Sequence, residues 1–191
     1  IETETKVKLK KDDSALCTWI SKTFARGDGG FGGEDVPAST PIELDSKPDI
    51  VHEVSTTEDQ ALIFRLSGDS NPLHSDPNFA KMAGYPKPIL HGLCSYGVAC
   101  RSIVEVLCEK DSKKLKRFNV RFSSPVFPGE TIVTEIWKKD DSVHFQSRVK
   151  ERDKIVLKNG ICEILWYPQL ESPQVKKIYF IMSHTMLGEK N

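Results

Sequence analysis

The chain has 191 residues, 38% hydrophobic and 28% charged, a composition suited to one globular domain, or one and a half, with a core to bury. Lys plus Arg and Asp plus Glu both total 27, so the formal net charge is zero. That balance gives no electrostatic basis for nucleic-acid binding or for an anionic membrane surface, and any anionic ligand needs a local basic cluster. No apolar run approaches the length of a membrane span, and no secretory signal is read at the start. Cys17, Cys94, Cys100, Cys108 and Cys162 are an odd count without a CxxC pair, which points to a reducing compartment and no structural zinc.

Residues 1–26 mix charge with short apolar pieces such as Ala15 to Ile20 and predict one strand or two. Gly27 to Gly33 is too rich in glycine for a helix or central strand. It lacks the Gly-Lys-Ser/Thr ending of a phosphate-cradling loop, so it reads as a connection. Pro37, Pro41 and Pro48 then punctuate a linker over residues 35–49. A compact domain is expected over 50–167. A helix is predicted from Thr56 to Leu66, with Thr57 as cap, Gln60 three residues on, and Leu62, Ile63 and Leu66 on one face. Gly68 and Pro72 mark a loop; Asp76-Pro77 starts a second helix that Gly84 stops.

The longest helix is predicted from Gly92 to about Lys110. Leu93, Tyr96, Cys100, Ile103, Val104 and Leu107 recur at helical spacing, while Ser95, Ala99 and Ser102 form a face small enough to pack closely on a sheet. Strands follow: Phe118, Val120 and Phe122 alternate with Asn119 and Arg121, Thr131–Trp137 and Val143–Val149 form a hairpin across Lys139 to Ser142, and Ile155–Trp166 returns. One long helix followed by an antiparallel meander is an α+β pattern. Residues 168–191, with the apolar stretch Ile178 to Met182, have no predicted place.

The densest polar set is one loop: Asp69, Ser70, Asn71, His74, Ser75 and Asp76. Asp69 and His74 are five apart across Pro72, so they share no helical face, but a folded-back loop brings them to one point. A carboxylate and an imidazole around one water suit hydration: one takes a proton from water and the other delivers a proton to carbon. Which group is the base stays open. Asn71 can donate an amide N–H to orient a carboxylate or a substrate oxygen. Spacing alone favours a structural role for this pair, and Asp76 reads as a helix cap. Gly92 opens the long helix, where an unpaired N–H and the helix dipole would stabilise developing negative charge on a thioester oxygen, although a turn would equally explain it. His91 reads as a packed, hydrogen-bonded histidine, and His52 and His144 have no supporting neighbours. No His or Cys pair has metal-ligand spacing with a third partner, and no Gly-x-Ser-x-Gly elbow occurs.

Phe64-Arg-Leu-Ser-Gly-Asp-Ser-Asn-Pro-Leu-His74 resembles the signature of the R-specific (MaoC-like) enoyl-CoA hydratases. Asp76-Pro77-Asn78-Phe79-Ala80, Lys87 to Cys94 and Arg121 to Thr131 continue the likeness, which covers roughly 50–165. The resemblance implies a hot-dog fold, a long central helix wrapped by a curved antiparallel sheet. It implies reversible hydration of a trans-2-enoyl-CoA to the (3R)-3-hydroxyacyl-CoA in β-oxidation. It assigns the catalytic role to Asp69 and His74, supported by Asn71, with Gly92 as oxyanion donor and Ser70, Pro72, Leu73 and Phe122 touching the acyl-CoA. No metal or redox cofactor is implied, since CoA is part of the substrate.

Eukaryotic members fuse two hot-dog repeats, the first shaping the acyl tunnel and the second carrying the catalytic loop. Here residues 1–34 look like the remnant of a preceding repeat with its connection. The implied partner is therefore a second hot-dog repeat, in a homodimer or in another chain. Peroxisomal location is implied by resemblance, although Gly188 to Asn191 is no Ser-Lys-Leu-type signal. The alternative is a non-catalytic or truncated hot-dog subunit that binds acyl-CoA or pairs with a complete hydratase. A hot-dog thioesterase ranks lower, because that class does not use this loop.

Overall fold

The computed structural model describes residues 2–22, 30–33, 42–44, 46–139, 142–165 and 177–180. The chain divides into two compact units, Ile1–Thr40 with Gln169–Asn191, and Pro41–Pro168.

In the first unit, β1 (Glu2–Lys8) and β2 (Ala15–Lys22) form an antiparallel hairpin. The later strand β8 (Lys177–Phe180) adds to β2 in parallel, so the apolar stretch that had no predicted place contributes the third strand of this sheet. Of the predicted Gly-rich connection and linker, residues 27–29, 34–41 and 45 lie outside the described residues, as do most of 168–191.

The second unit carries one antiparallel sheet in the order β3-β5-β6-β7-β4. Its strands are β3 (Ile50–Ser55), β4 (Leu115–Phe122), β5 (Thr131–Lys138), β6 (Val143–Val149) and β7 (Lys154–Ile164). Between β3 and β4 come α1 (Gln60–Arg65), a 3-10 turn at Pro72–His74, α2 (Pro77–Met82) and the 16-residue α3 (Gly92–Leu107). The predicted hairpin is present, closed by the Lys139 N–H on the Ser142 carbonyl at 2.9 Å; Asp140 and Asp141 lie outside the described residues.

Helix α3 packs on β3, β4 and β5. Its small residues make that approach possible: Ser95, Ala99 and Ser102 are buried beside Cys94 and Ile103, and Ser102 Oγ returns its proton to the Val98 carbonyl at 3.1 Å. The sheet supplies Ile132, Ile136, Phe145, Val149 and Leu157 to the same core. Burying each such side chain contributes about 1.5–3 kcal/mol. Phe118 and Phe145 stack at 4.6 Å, and Gly160 lies opposite Phe145 in the register, where a Cβ would fall on the Phe145 carbonyl and ring.

Two expectations fail around α1. The helix starts at Gln60 rather than near Thr57, because the Thr57 hydroxyl donates to Asp59 Oδ1 at 2.6 Å instead of capping a helix. Its expected core face, Leu62, Ile63 and Leu66, is exposed at 53%, 52% and 87%, and Ala61 is the residue α1 buries. The preceding segment, expected only as the start of the domain, is the edge strand β3. By contrast, Asp76 caps α2 as expected, accepting from Asn78 N–H at 2.8 Å, and Gly84 takes φ +85° where that helix stops.

Candidate active site

The polar loop is shaped by local chemistry. Gly68 adopts φ +109°, a conformation open to glycine, and turns the chain after α1. Asp69 Oδ1 accepts the Asn71 backbone N–H at 3.1 Å, and Asn71 Oδ1 accepts the Leu73 N–H at 3.0 Å, capping the turn that Pro72 begins. Asn71 thus supports the loop through its backbone N–H and its side-chain oxygen. Ser70 and Pro72 are exposed and Leu73 is half-buried on the same loop.

His74 is buried, and its Nδ1 lies 2.8 Å from the Ile89 carbonyl. A carbonyl only accepts, so Nδ1 carries the proton and Nε2 of the neutral ring holds the free lone pair. The Ile89 N–H points back to the Leu73 carbonyl at 3.4 Å, and the Leu90 N–H bonds the Val126 carbonyl at 2.7 Å. These contacts clasp the Asp69–His74 loop to the segment leading into α3.

The clasp delivers a third group. The His91 side chain is 2% exposed; its ring stacks on His74 with centroids 3.7 Å apart, and its Nε2 is 3.9 Å from Asp69 Oδ2. Phe64 meets the same imidazole at 4.7 Å. The expectation of a packed histidine holds for its burial; neither ring nitrogen meets full hydrogen-bond geometry among the described residues, and the Asp69 backbone makes a weaker contact with the ring. An unsatisfied buried polar group costs about 1–3 kcal/mol. Burial pushes the His91 imidazole below its ordinary range, and the facing His74 adds to this, while Asp69 opposes it without prevailing. Sequence reasoning placed His91 outside the chemistry; the signal available was its position directly before Gly92 at the end of a rigid Pro-rich segment.

Asp69, His74 and His91 present ligand-capable atoms within 4.8 Å of one another, a cluster that linear spacing did not reveal. The two imidazoles do not converge on one ion as arranged. A metal lies in the plane of each ligating ring at about 2.0–2.1 Å, and planes stacked with only a 25° tilt meet well beyond that distance.

Gly92 is the first residue of α3, so its N–H has no acceptor within the helix and sits at the positive end of the dipole. A Cβ there would stand 3.3 Å from Phe122 Cε1, so two of the expected site residues are in mutual contact. A cavity of about 340 Å³ borders His74 and Ser75 and is walled by Ala61, Leu62, Lys87 and Pro128.

Residues 39–160 match the MaoC like domain family. The chain belongs to the MaoC-like family. Among curated relatives of this MaoC-like chain is enoyl-CoA hydratase 2, peroxisomal, of Arabidopsis thaliana, 42% identical over 82% of the chain and 54% of that protein. The crystal structure of a MaoC-like dehydratase from Phytophthora capsici superposes with a TM-score of 0.68 at 42% identity, covering 73% of the chain and 48% of that one. The R-hydratase PhaJ1 of Pseudomonas aeruginosa, in its unliganded form, gives 0.50 at 25% identity over 69% of the chain and 92% of that one. The fold is therefore the α+β hot-dog, with α3 as its central helix. The MaoC-like chain spans about half the length of the Arabidopsis and Phytophthora proteins.

Proposed function

We propose that this chain carries the reacting groups of an R-specific enoyl-CoA hydratase, a lyase that reversibly adds water to trans-2-enoyl-CoA to give the (3R)-3-hydroxyacyl-CoA in fatty-acid β-oxidation. The observation that carries this reading is the meeting of Asp69 and His74 within one cluster beside the N-terminus of α3. The names of the relatives support the reaction class, and the peroxisomal Arabidopsis protein supports the same compartment.

The chemistry balances on these groups alone. A water held between Asp69 and His74 gives one proton to His74 Nε2 as its oxygen bonds Cβ. The electron pair of the alkene moves to the thioester oxygen as an enolate. Gly92 N–H, at the head of α3, donates to that oxygen. The imidazolium then returns the proton to Cα on the same face, which regenerates neutral His74 and gives syn addition. Asp69 stays a carboxylate, accepting a hydrogen bond from the proton that remains on the new hydroxyl and balancing the transient charge on His74. Ser70, Pro72, Leu73 and Phe122 border the acyl group.

A second hot-dog repeat, in another copy or another chain, supplies the rest of the acyl and CoA surface. A single repeat can suffice on the precedent of PhaJ1, a chain named as an R-hydratase and covered over 92% of its length. The competing reading, a non-catalytic acyl-CoA-binding subunit, draws on the half-length match.

The test is Asp69→Asn and His74→Ala, assayed by loss of enoyl-thioester absorbance. Each lowers turnover by about 100-fold or more with unchanged thermal melting. Near-wild-type turnover in either variant contradicts the assignment.

A further inference from the structure

His91 is the one group of the cluster without an assigned task, and it is built in more firmly than either neighbour. Its ring is held between Phe64 and His74, at 4.7 and 3.7 Å, and its Nε2 is turned towards Asp69 Oδ2 at 3.9 Å. Both ring nitrogens are buried, and neither reaches full hydrogen-bond geometry with a partner among the described residues; Asp69, through its backbone and its carboxylate, is the group that approaches them. A histidine wanted only for packing would be better served by an apolar ring of similar size, because nothing would then be left unsatisfied.

We propose that His91 is a positioning residue: a neutral imidazole, protonated on Nε2, that fixes the second oxygen of the Asp69 carboxylate and backs the His74 ring as that ring takes up charge. The kinetic part of this proposal rests on the hydratase reading; the protonation state and tautomer do not. The Asn71 N–H already occupies Asp69 Oδ1, which leaves Oδ2 as the oxygen facing His91. A carboxylate only accepts, so a contact here requires the proton on Nε2. Closing from 3.9 Å to a hydrogen bond takes a movement of about 1 Å, well within a side-chain torsion on a loop.

The carboxylate is then held from two sides, with its remaining lone pairs directed at the water it shares with His74. The stack demands neutrality as well. Two imidazolium rings in face-to-face contact repel, whereas a neutral ring beneath a developing imidazolium presents a polarisable face to it. The titratable groups acting on His91 are His74 and Asp69, and Phe64 covers the imidazole with an apolar ring.

Two readouts test this. In the 15N–1H imidazole spectrum of the intact chain, His91 should be neutral with its proton on Nε2 at pH 7, and its resonances should move in Asp69→Asn. A charged His91 at pH 7, a proton on Nδ1, or no response to Asp69→Asn overturns the proposal. Kinetically, His91→Phe keeps a ring under His74 without the donor, and His91→Gln restores a donor near Nε2. His91→Phe should lower kcat about 10- to 100-fold with KM within about twofold, and His91→Gln should recover part of that loss. Wild-type kcat in His91→Phe, or a glutamine variant no better than the phenylalanine one, overturns it. Should His91→Phe fail to fold, the spectra and His91→Gln against wild type decide. If the wild-type chain turns over no enoyl-CoA in the presence and absence of a second repeat, the hydratase reading fails instead, and the spectra alone judge His91.

Discussion

Asp69, His74 and His91 differ most in how much water each keeps. Asp69 has a side chain 48% exposed on a loop, His74 is buried with one nitrogen held by a carbonyl, and His91 is 2% exposed. That gradient suits a site in which substrate and water arrive from the Asp69 side while the imidazoles form the back wall. In the proposed site Gly92 adds a backbone donor to this wall, and its lack of a side chain lets the Phe122 ring lie against it. Gly92→Ala should therefore push Phe122 away and crowd the first amide of α3. We expect kcat to fall about tenfold or more with little change in melting temperature; unchanged kcat would remove Gly92 from the site. Much of this was legible in the linear sequence, because the Asp69–His74 loop is contiguous and punctuated by Gly68 and Pro72. The third member was not. His91 reaches the pair through the bond from His74 to the Ile89 carbonyl, and such a clasp leaves no periodic trace.

At the scale of elements, the reading succeeded where burial imposes a period. The small face of α3 and the alternation of β6 are direct consequences of packing one helix on one sheet face. It failed where the apolar pattern does not match burial in this chain: Leu62, Ile63 and Leu66 share a face of α1 that stays exposed. Leu62 of that face lines the cavity beside His74. Strand β3 escaped notice because neither face is of one kind: His52 lies with Ile50 and Val54 on the half-buried face, and Val51 with Glu53 and Ser55 on the exposed one. Gly160 of β7 lies close against Phe145 of β6. Gly160→Ala should cost about 3 kcal/mol through displacement of the Phe145 carbonyl and ring, seen as a lower urea midpoint at constant m. A midpoint equal to wild type would show that the two strands can separate locally without cost.

For the whole molecule, two histidines tie stability to pH. Burial, reinforced by His74, lowers the folded-state value of His91, and burial, reinforced by Lys139, lowers that of His144. A depressed histidine means that the unfolded chain binds the proton more readily. Stability from these groups is then complete above the unfolded histidine value of about 6.5 and declines as pH falls below it, towards the folded-state values. The urea midpoint should drop between neutral and mildly acid pH, and His91→Phe together with His144→Phe should flatten that drop. An unchanged slope in the double variant would assign acid sensitivity elsewhere. The parallel pairing of β8 with β2 was not legible, since β8 meets a partner more than 150 residues away.

The central claim is that this chain carries a working hydration site of R specificity. The most direct measurement is to mix the protein with trans-2-crotonyl-CoA and trans-2-decenoyl-CoA, follow the enoyl-thioester absorbance, and resolve the product on a chiral phase. The account predicts conversion to the (3R)-3-hydroxyacyl-CoA, abolished by Asp69→Asn. Formation of the (3S) product, or no conversion by folded protein in the presence and absence of a second repeat, would contradict it.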